Sequence, residues 1–419
     1  MNKLKNILYS ASILLFFAFT FQSIPPGWFQ QIRPVNDVIN DIFFLDSLNG
    51  WAVTNGSFNT NDTAYIFKTT NGGDNWLINF SSVEKLNVIQ FVNENTGYVG
   101  GGSNGGAMLT FLKTTNTGLN WQRLTVPDGV YISDIFFYNS DTGWICDGDG
   151  LFGGLYKTTN GGMSWQLQIG SSARPQRMFF LSNDTGWFVN SASSGSLYRT
   201  TNSGINWNLQ YNFSTQINDV YFLNALTGIV SSIEMYRTTN GGFNWIQTTT
   251  SVGGIKISFA TDSIGWAGSN FQRITKTTNM GQSWFYQSTP ISNPSVSAYD
   301  SLKVWAGGAG IIHTTDGGSL SALEQIGNEM PIEYELFQNY PNPFNPSTKI
   351  RFSVKRQTSN VKLLIYNSIG EFISELFNGN LLAGTYEVQF TANNLSSGIY
   401  YYTLITDNFK ETKKMLLLK

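Results

Sequence analysis

Lys68-Thr69-Thr70-Asn71-Gly72-Gly73-Asp74-Asn75-Trp76 decides the fold, because the chain repeats it. Close copies end at Trp121, Trp165, Trp207, Trp245 and Trp284. Their spacing of roughly 40 residues is the period of a propeller assembled from small repeated sheets. A seventh copy, His313-Thr314-Thr315-Asp316-Gly317-Gly318, lacks its Trp. The missing ring stands at the other end of the chain, where Gly27-Trp28-Phe29-Gln30-Gln31 reads like the strand that follows each motif. The expectation is a seven-bladed β-propeller over residues 24–318, closed by its own N-terminal strand at Trp28.

A second landmark supports the period. Gly50-Trp51, Gly97-Tyr98, Gly143-Trp144, Gly186-Trp187 and Gly265-Trp266 recur once per repeat, weakened to Gly228-Ile229 and Val304-Trp305. Upstream of each pair, Ile42/Phe44, Ile89/Phe91, Ile135/Phe137, Met178/Phe180, Val220/Phe222 and Ile257/Phe259 keep the period of two that marks an inner strand. The Asn and Gly of the first motif suit a tight turn with positive φ, and its Thr hydroxyl can satisfy turn amides. Its Trp supplies an apolar plate between sheets. The two landmarks hold all 12 Trp of the chain, so none is left for a dedicated binding platform.

Composition agrees. With 15% aromatic residues, 42 Gly and only 12% charged residues, strand and turn formers are enriched together and long helices are not expected. A net charge of −2 offers no basic field for phosphate backbones, which argues against nucleic acid as a partner. Lys3, Lys5 and the apolar run from Ile7 to Phe21 read as a secretory signal peptide over residues 1–23, leaving no transmembrane helix in the mature protein. Cys146 is the single Cys, so there is no disulfide framework and no Cys-based metal cluster, and its natural place is inside a strand.

The repeated turn resembles the Asp-box of sialidase-type propellers, with Asn71, Asn116, Asn160, Asn202, Asn240 and Asn279 in place of the usual Asp and Asp316 retaining it. The whole repeat is more similar still to the propellers of photosystem II assembly and stability factors, over residues 28 to 318. That resemblance implies a folding element on the face away from ligands.

A site is therefore sought on the opposite face, where the loops between second and third strands meet the starts of the inner strands. Those loops are long in the early repeats and carry Phe58, Asp62, Asn104, Asp147, Asp149 and Phe152. The residue opening each inner strand varies around the ring: Asp41, Val88, Asp134, Arg177, Asp219, Lys256 and Ser295. These loop residues and the charged members of that column are the candidate ligand-binding face. Neither a metal site nor a cofactor is expected. Asp147-Gly148-Asp149-Gly150 lacks the further acidic ligands of an EF-hand loop. His313, the single His, falls in the column held elsewhere by Lys68, Lys113, Lys157, Arg199, Arg237 and Lys276, which argues against His-dependent triads and His-rich zinc sites. A glycosidase needs only paired carboxylates, and Asp41, Asp134 and Asp219 could supply them, so an extracellular glycoside hydrolase of the sialidase-like superfamily stays open beside a non-enzymatic binding or scaffold module with an extracellular protein or glycan ligand.

After Gly318 the periodicity stops. Residues 319–333 read as a polar linker, and residues 334–419 as a small Ig-like β-sandwich with strands over 348–354, 361–367, 371–377, 384–390, 398–406 and 410–418. Its closely spaced prolines, 341, 343 and 346, keep the opening stretch out of a central sheet. Tyr340-Pro341-Asn342-Pro343-Phe344, Gly384-Thr385-Tyr386, Gly398-Ile399-Tyr400 and the basic end at Lys413-Lys414 resemble the type A C-terminal sorting domain of the type IX (Por) secretion system. That resemblance implies passage through the periplasm, the type IX machinery as a partner, and a product released or held on the outer cell surface.

Overall fold

The computed structural model describes residues 27–419 except 57–62, 103–108, 128–130, 149–153, 191–193, 249–253, 270, 293, 319–323, 328–330, 356–357, 382 and 393–394. The expected signal peptide lies outside the described residues. Seven four-stranded antiparallel sheets form the blades of a propeller, and two more form a C-terminal sandwich. The first blade runs from the inner strand Ile39–Phe44 through Gly50–Thr54 and Ala64–Thr69 to the outer strand Leu77–Ser82. The seventh takes only three strands from its own repeat, Ser295–Ala298, Val304–Gly307 and Ile311–Thr314. Its outer strand is Phe29–Gln31, paired Phe29 to His313 and Gln31 to Ile311. Helix is confined, among the described residues, to one 3-10 turn at Ser171–Ala173.

Blades adhere through one repeated stack. At four junctions the ring of the Gly-aromatic pair lies flat on the inner-strand Phe of the next blade: Trp51 on Phe91 at 3.7 Å, Tyr98 on Phe137 at 3.5 Å, Trp144 on Phe180 at 3.8 Å and Trp187 on Phe222 at 3.6 Å between centroids. Trp305 on Phe44 at 3.6 Å joins the seventh blade to the first. The glycine before each ring has a matching cause, because a Cβ on Gly50, Gly97, Gly143, Gly186, Gly228 or Gly265 would sit 2.4 to 2.7 Å from the Phe ring of its own inner strand. The one repeat that departs from the rule departs twice. Val304 replaces the glycine, and the residue facing it is Ala298 rather than Phe.

The Thr-x-Asn turns repeat bond for bond. In the first blade Thr69 Oγ1 donates to Asn71 Oδ1 at 2.9 Å and accepts from Gly73 N at 2.9 Å, while Asn71 Oδ1 accepts from Asn75 N at 3.0 Å. Gly73 holds φ at +94°, where an L-residue is strained. The chain break falls inside the seventh turn, and Gly27 N supplies the absent bond to Asp316 Oδ2 at 3.0 Å. Trp28 Nε1 then reaches Gln287 Oε1 at 3.0 Å, as Trp121 Nε1 reaches Asn79 Oδ1 at 2.8 Å.

The cation column ties these turns to the preceding blade. Lys68, Lys113, Lys157 and Lys276 lie over the rings at 51, 98, 144 and 266, and their ammonium groups donate to the carbonyls of Thr117, Gly161, Ser203 and Gly317. His313 is too short for that reach. It stacks on Trp305 at 4.3 Å, and Trp305 Nε1 takes the carbonyl of Gly72 at 2.8 Å instead. Burial lowers the His313 pKa to about 4, so the imidazole is neutral at pH 7. Cys146 is fully buried in the strand Gly143–Asp147, as its apolar surroundings in the sequence suggest.

The sandwich has sheet orders Glu324–Gly327, Gly384–Thr391, Ser347–Val354, Glu335–Leu336 and Phe372–Leu381, Thr358–Asn367, Gly398–Thr406, Phe409–Leu417. The stretch expected as a linker therefore contributes an edge strand at Glu324–Gly327, paired with residues 385–387. The proline-rich segment straps the outer edge of the last strand. Phe344 N donates to Leu416 O at 2.9 Å, Leu418 N to Phe344 O at 3.0 Å and Leu416 N to Asn342 Oδ1 at 2.9 Å. Phe344, Tyr386 and Tyr400 fill the core, Tyr340 is exposed, and Lys413 pairs with Glu411 at 3.1 Å.

Closure by the first strand gives the first prediction. Trp28 is half-buried against Val296, Val304 and Ile312, so Trp28→Ala should destabilise the propeller by about 3 kcal/mol, the low end for truncating a buried Trp. Equilibrium denaturation reads this directly. A loss below about 0.5 kcal/mol, the level of a surface site, would mean that the ring does not depend on the first strand.

Candidate functional site at the propeller channel

All seven residues of the column expected to open the inner strands line one cavity of about 320 Å³ on the propeller axis. Only Asp219 and Ser295 are first residues of their strands; Asp41, Val88, Asp134 and Arg177 are third and Lys256 precedes the strand Ile257–Phe259, but the repeat sets all seven at one level of the ring. A second layer two residues further along comprises Phe43, Gln90, Phe136, Phe179, Tyr221, Ser258 and Ser297. Phe136 meets Phe179 at 6.0 Å and Phe179 meets Tyr221 at 4.6 Å, so three adjacent blades give the channel an aromatic wall, while Ser258 Oγ and Ser297 Oγ accept from Ala298 N and Phe44 N of the next blades at 3.0 Å. This layer was readable in principle, since residues i and i+2 of a strand share a face. Attention to charge alone passed over it.

The charged ring is mostly spent on holding blades together. Asp41 Oδ2 accepts from Ile89 N at 3.1 Å, Asp134 Oδ2 from Met178 N at 2.8 Å and Asp219 Oδ2 from Ile257 N at 2.7 Å, each bond crossing to the following blade. Gln90 does the same with both ends of its amide, on Phe137 N at 2.7 Å and Phe137 O at 3.1 Å. Ser295 Oγ accepts from Ile42 N at 3.3 Å and donates to Asp41 Oδ1 at 2.7 Å across the closing junction. Lys256 pairs with Asp41 as well, and Arg177 donates back to Ser133 O. Asp41 and Asp219 are buried, whereas Asp134, Arg177 and Lys256 keep partial contact with solvent in the channel.

Burial raises the Asp134 carboxyl to about 7 against the pull of Arg177 and the Met178 amide, with Asp219 adding repulsion. Asp219 rises to about 6 for the same leading reason, opposed by the Ile257 amide and Arg177. At Arg177 burial is outweighed by Asp134, Asp219 and Asp41, and its pKa goes up. The pair is thus unequal. Crowding by protein atoms governs Asp134 despite its residual exposure, while three carboxylates keep the guanidinium charged, so the group that titrates near neutrality is the carboxyl.

Of the other candidates, Asp147 closes the strand Gly143–Asp147, is buried, and is not among the channel-lining residues. Its backbone pairs with Ile132 at the foot of the next loop. Phe58, Asp62, Asn104, Asp149 and Phe152 lie outside the described residues.

Residues 338–418 match the secretion system C-terminal sorting domain. The protein is accordingly exported by type IX secretion, to the cell surface or beyond it. Among solved structures, YCF48 from Cyanidioschyzon merolae superposes with a TM-score of 0.54 at 15% identity, over 69% of this chain and 98% of that one. YCF48 bound to a D1 peptide gives 0.54 at 19% identity, over 70% and 99%. The GH74 xyloglucanase of Xanthomonas campestris gives 0.55 at 9% identity, over 93% and 68%. At such identities the likeness is one of fold: these neighbours include both YCF48 and a hydrolase. No curated protein matches this chain in sequence.

The Asp134 carboxyl generates a pH prediction. Its folded pKa stands above its unfolded value of 3.8, so the stability it contributes is fully present below about pH 4 and is lost as pH rises to about 7. Asp134→Asn removes that dependence while keeping an acceptor for Met178 N. The stability of the variant relative to the wild type should therefore climb by about 1.4 kcal/mol per pH unit between pH 5 and 7, about 2–3 kcal/mol in all. Parallel denaturation curves over this range would show no such slope if Asp134 is ionised throughout.

Proposed function

We propose that the protein is an exported binding or scaffold module whose ligand, a protein segment or a glycan, is taken at the channel mouth and the loops around it. The observation that carries this reading is the use of the acidic groups. A hydrolase needs two carboxyls free to face substrate, and here Asp41, Asp134 and Asp219 each accept a backbone N–H of the neighbouring blade. The lining a ligand would meet is asymmetric: half-buried Arg177 and Lys256, themselves bonded to Ser133 O and Asp41, and an aromatic wall of Phe136, Phe179 and Tyr221, on a ring of fixed blades. One propeller of the same fold is known with a peptide bound.

Chain direction supports the same face. The ring closes at the seventh Thr-x-Asp turn, so the first strand enters and the segment toward the sorting domain leaves on the turn face. A tether there leaves the loop face open.

A second reading, extracellular glycan hydrolysis, is favoured by one observation. The Asp134 carboxyl holds its proton near neutral pH, as a general acid must. Screening the purified protein against glycans and secreted proteins, with binding and turnover both measured, separates the two. Binding without turnover, weakened about tenfold by Lys256→Gln or Arg177→Gln at a temperature where circular dichroism shows each variant still folded, is the expected result. Substitution of Gly73 or Gly162 should do the opposite, lowering stability and sparing affinity. Hydrolysis abolished by Asp134→Asn or Asp219→Asn would replace the binding reading.

The domain division yields a further expectation. A chain ending at Ser321 should fold as a propeller and fail to reach the cell surface. Normal surface display of that truncated chain would remove the sorting role from the tail.

A further inference from the structure

The turn face carries a feature that neither folding nor the channel explains. The residue after the second glycine position of the repeated turn is Leu119, Met163, Ile205 and Phe243 in four consecutive blades, and these side chains are 70%, 66%, 72% and 62% exposed. In the first and sixth blades the same position is Asp74 and Gln282. A surface turn has no folding reason to present four large apolar side chains in adjacent copies, and exposed apolar side chains repeated at one position of one face make a candidate interaction surface.

Acidic groups border the arc. Backbone bonds fix each turn to the connection between first and second strands of its own blade, Thr117 N to Asn95 O at 3.0 Å, Gly161 N to Asp141 O at 2.8 Å and Ser203 N to Asp184 O at 2.9 Å. Glu94, Asp141 and Asp184 therefore lie beside the tips of the second, third and fourth blades, and all three are exposed. The cations nearby are held by the fold: Lys113 and Lys157 are half-buried, with their ammonium groups on the carbonyls of Gly161 and Ser203. Asp184, which accepts from Ser203 Oγ at 2.6 Å, also feels the Lys157 charge, leaving Glu94 and Asp141 as the carboxylates without a cation facing them in this arc, among the described residues. The rim thus alternates apolar tip and carboxylate from blade to blade.

We propose that this arc docks a basic polypeptide segment whose apolar side chains sit on the four tips while its lysines or arginines meet the carboxylates between them. Charge complementarity selects this occupant, since an anionic glycan or an acidic segment would be repelled by the same carboxylates. The surface is separate from the channel mouth and lies on the opposite end of the blades.

The test uses the full chain and a labelled octapeptide of alternating lysine and leucine, with glutamate–leucine and lysine–serine octapeptides as controls, followed by fluorescence anisotropy at low and raised salt. The lysine–leucine peptide should bind and the controls should not. Met163→Ser combined with Ile205→Ser should weaken it by about tenfold or more without moving the melting temperature, because both side chains are exposed. Asp141→Asn combined with Asp184→Asn should weaken it similarly and flatten its salt dependence. Equal binding of either control peptide, or binding untouched by both double variants, overturns the proposal. So does an equal loss on Lys256→Gln, which would move the peptide to the channel. Self-association in sedimentation that the serine variant abolishes would make the occupant a second copy of this chain and overturn it too.

Discussion

The flat stack of one blade's ring on the next blade's inner-strand Phe is the interaction on which the rest of the molecule depends. It fixes the distance between sheets, it requires a glycine beneath the Phe, and it presents the other face of the ring to a cation that bridges to the next turn. Offset aromatic pairs contribute about 0.5–1.5 kcal/mol beyond the area they bury, so a ring of such contacts is strong only when it closes. Closure is what Trp305 on Phe44 and Gly27 on Asp316 provide, through contacts between opposite ends of the propeller sequence. The seventh blade shows how tightly the parts are linked: once Phe is replaced by Ala298 the glycine is no longer needed, and Val304 fills the space.

Much of this was legible in the sequence because the turn recurs seven times and the Gly-aromatic pair five times intact. The turn, the Gly-aromatic pair and the closing strand at Trp28 could be placed from the repeat, and the strands of the sandwich from alternation. The reason for the glycine could not. Phe44 and Gly50 are neighbours across a hairpin, but the ring that presses Phe44 onto Gly50 is Trp305, and no local pattern records that partner. The edge strand Glu324–Gly327 escaped for a related reason: it borrows its pairing from residues 385–387, and a polar four-residue segment has no periodicity of its own.

The channel divides in the same way. Its residues were identifiable as a column, since the repeat aligns Asp41 with Asp134, Asp219 and the rest. Their roles were not, because a carboxylate that clasps the next blade and one that awaits a ligand look alike in sequence. Blade-to-blade hydrogen bonds accepted by Asp41, Asp134 and Asp219 turn what reads as a charged mouth into a fastening, and Lys256 and Arg177 join it through Asp41 and Ser133 O.

A propeller closed by its own first strand must bring that strand in and let the last one out at the same turn, so both chain ends fall on the turn face. For an exported protein carrying a sorting domain after that turn, the geometry has a consequence for evolution of the two surfaces. Loops on the far side can lengthen without disturbing the tether, which is where the long early loops are found, whereas every change on the turn face must respect seven copies of a bond pattern. The apolar tips occupy a position of that pattern whose side chain makes no bond within it, and in four adjacent copies that position is apolar and exposed, beside a carboxylate in three of them.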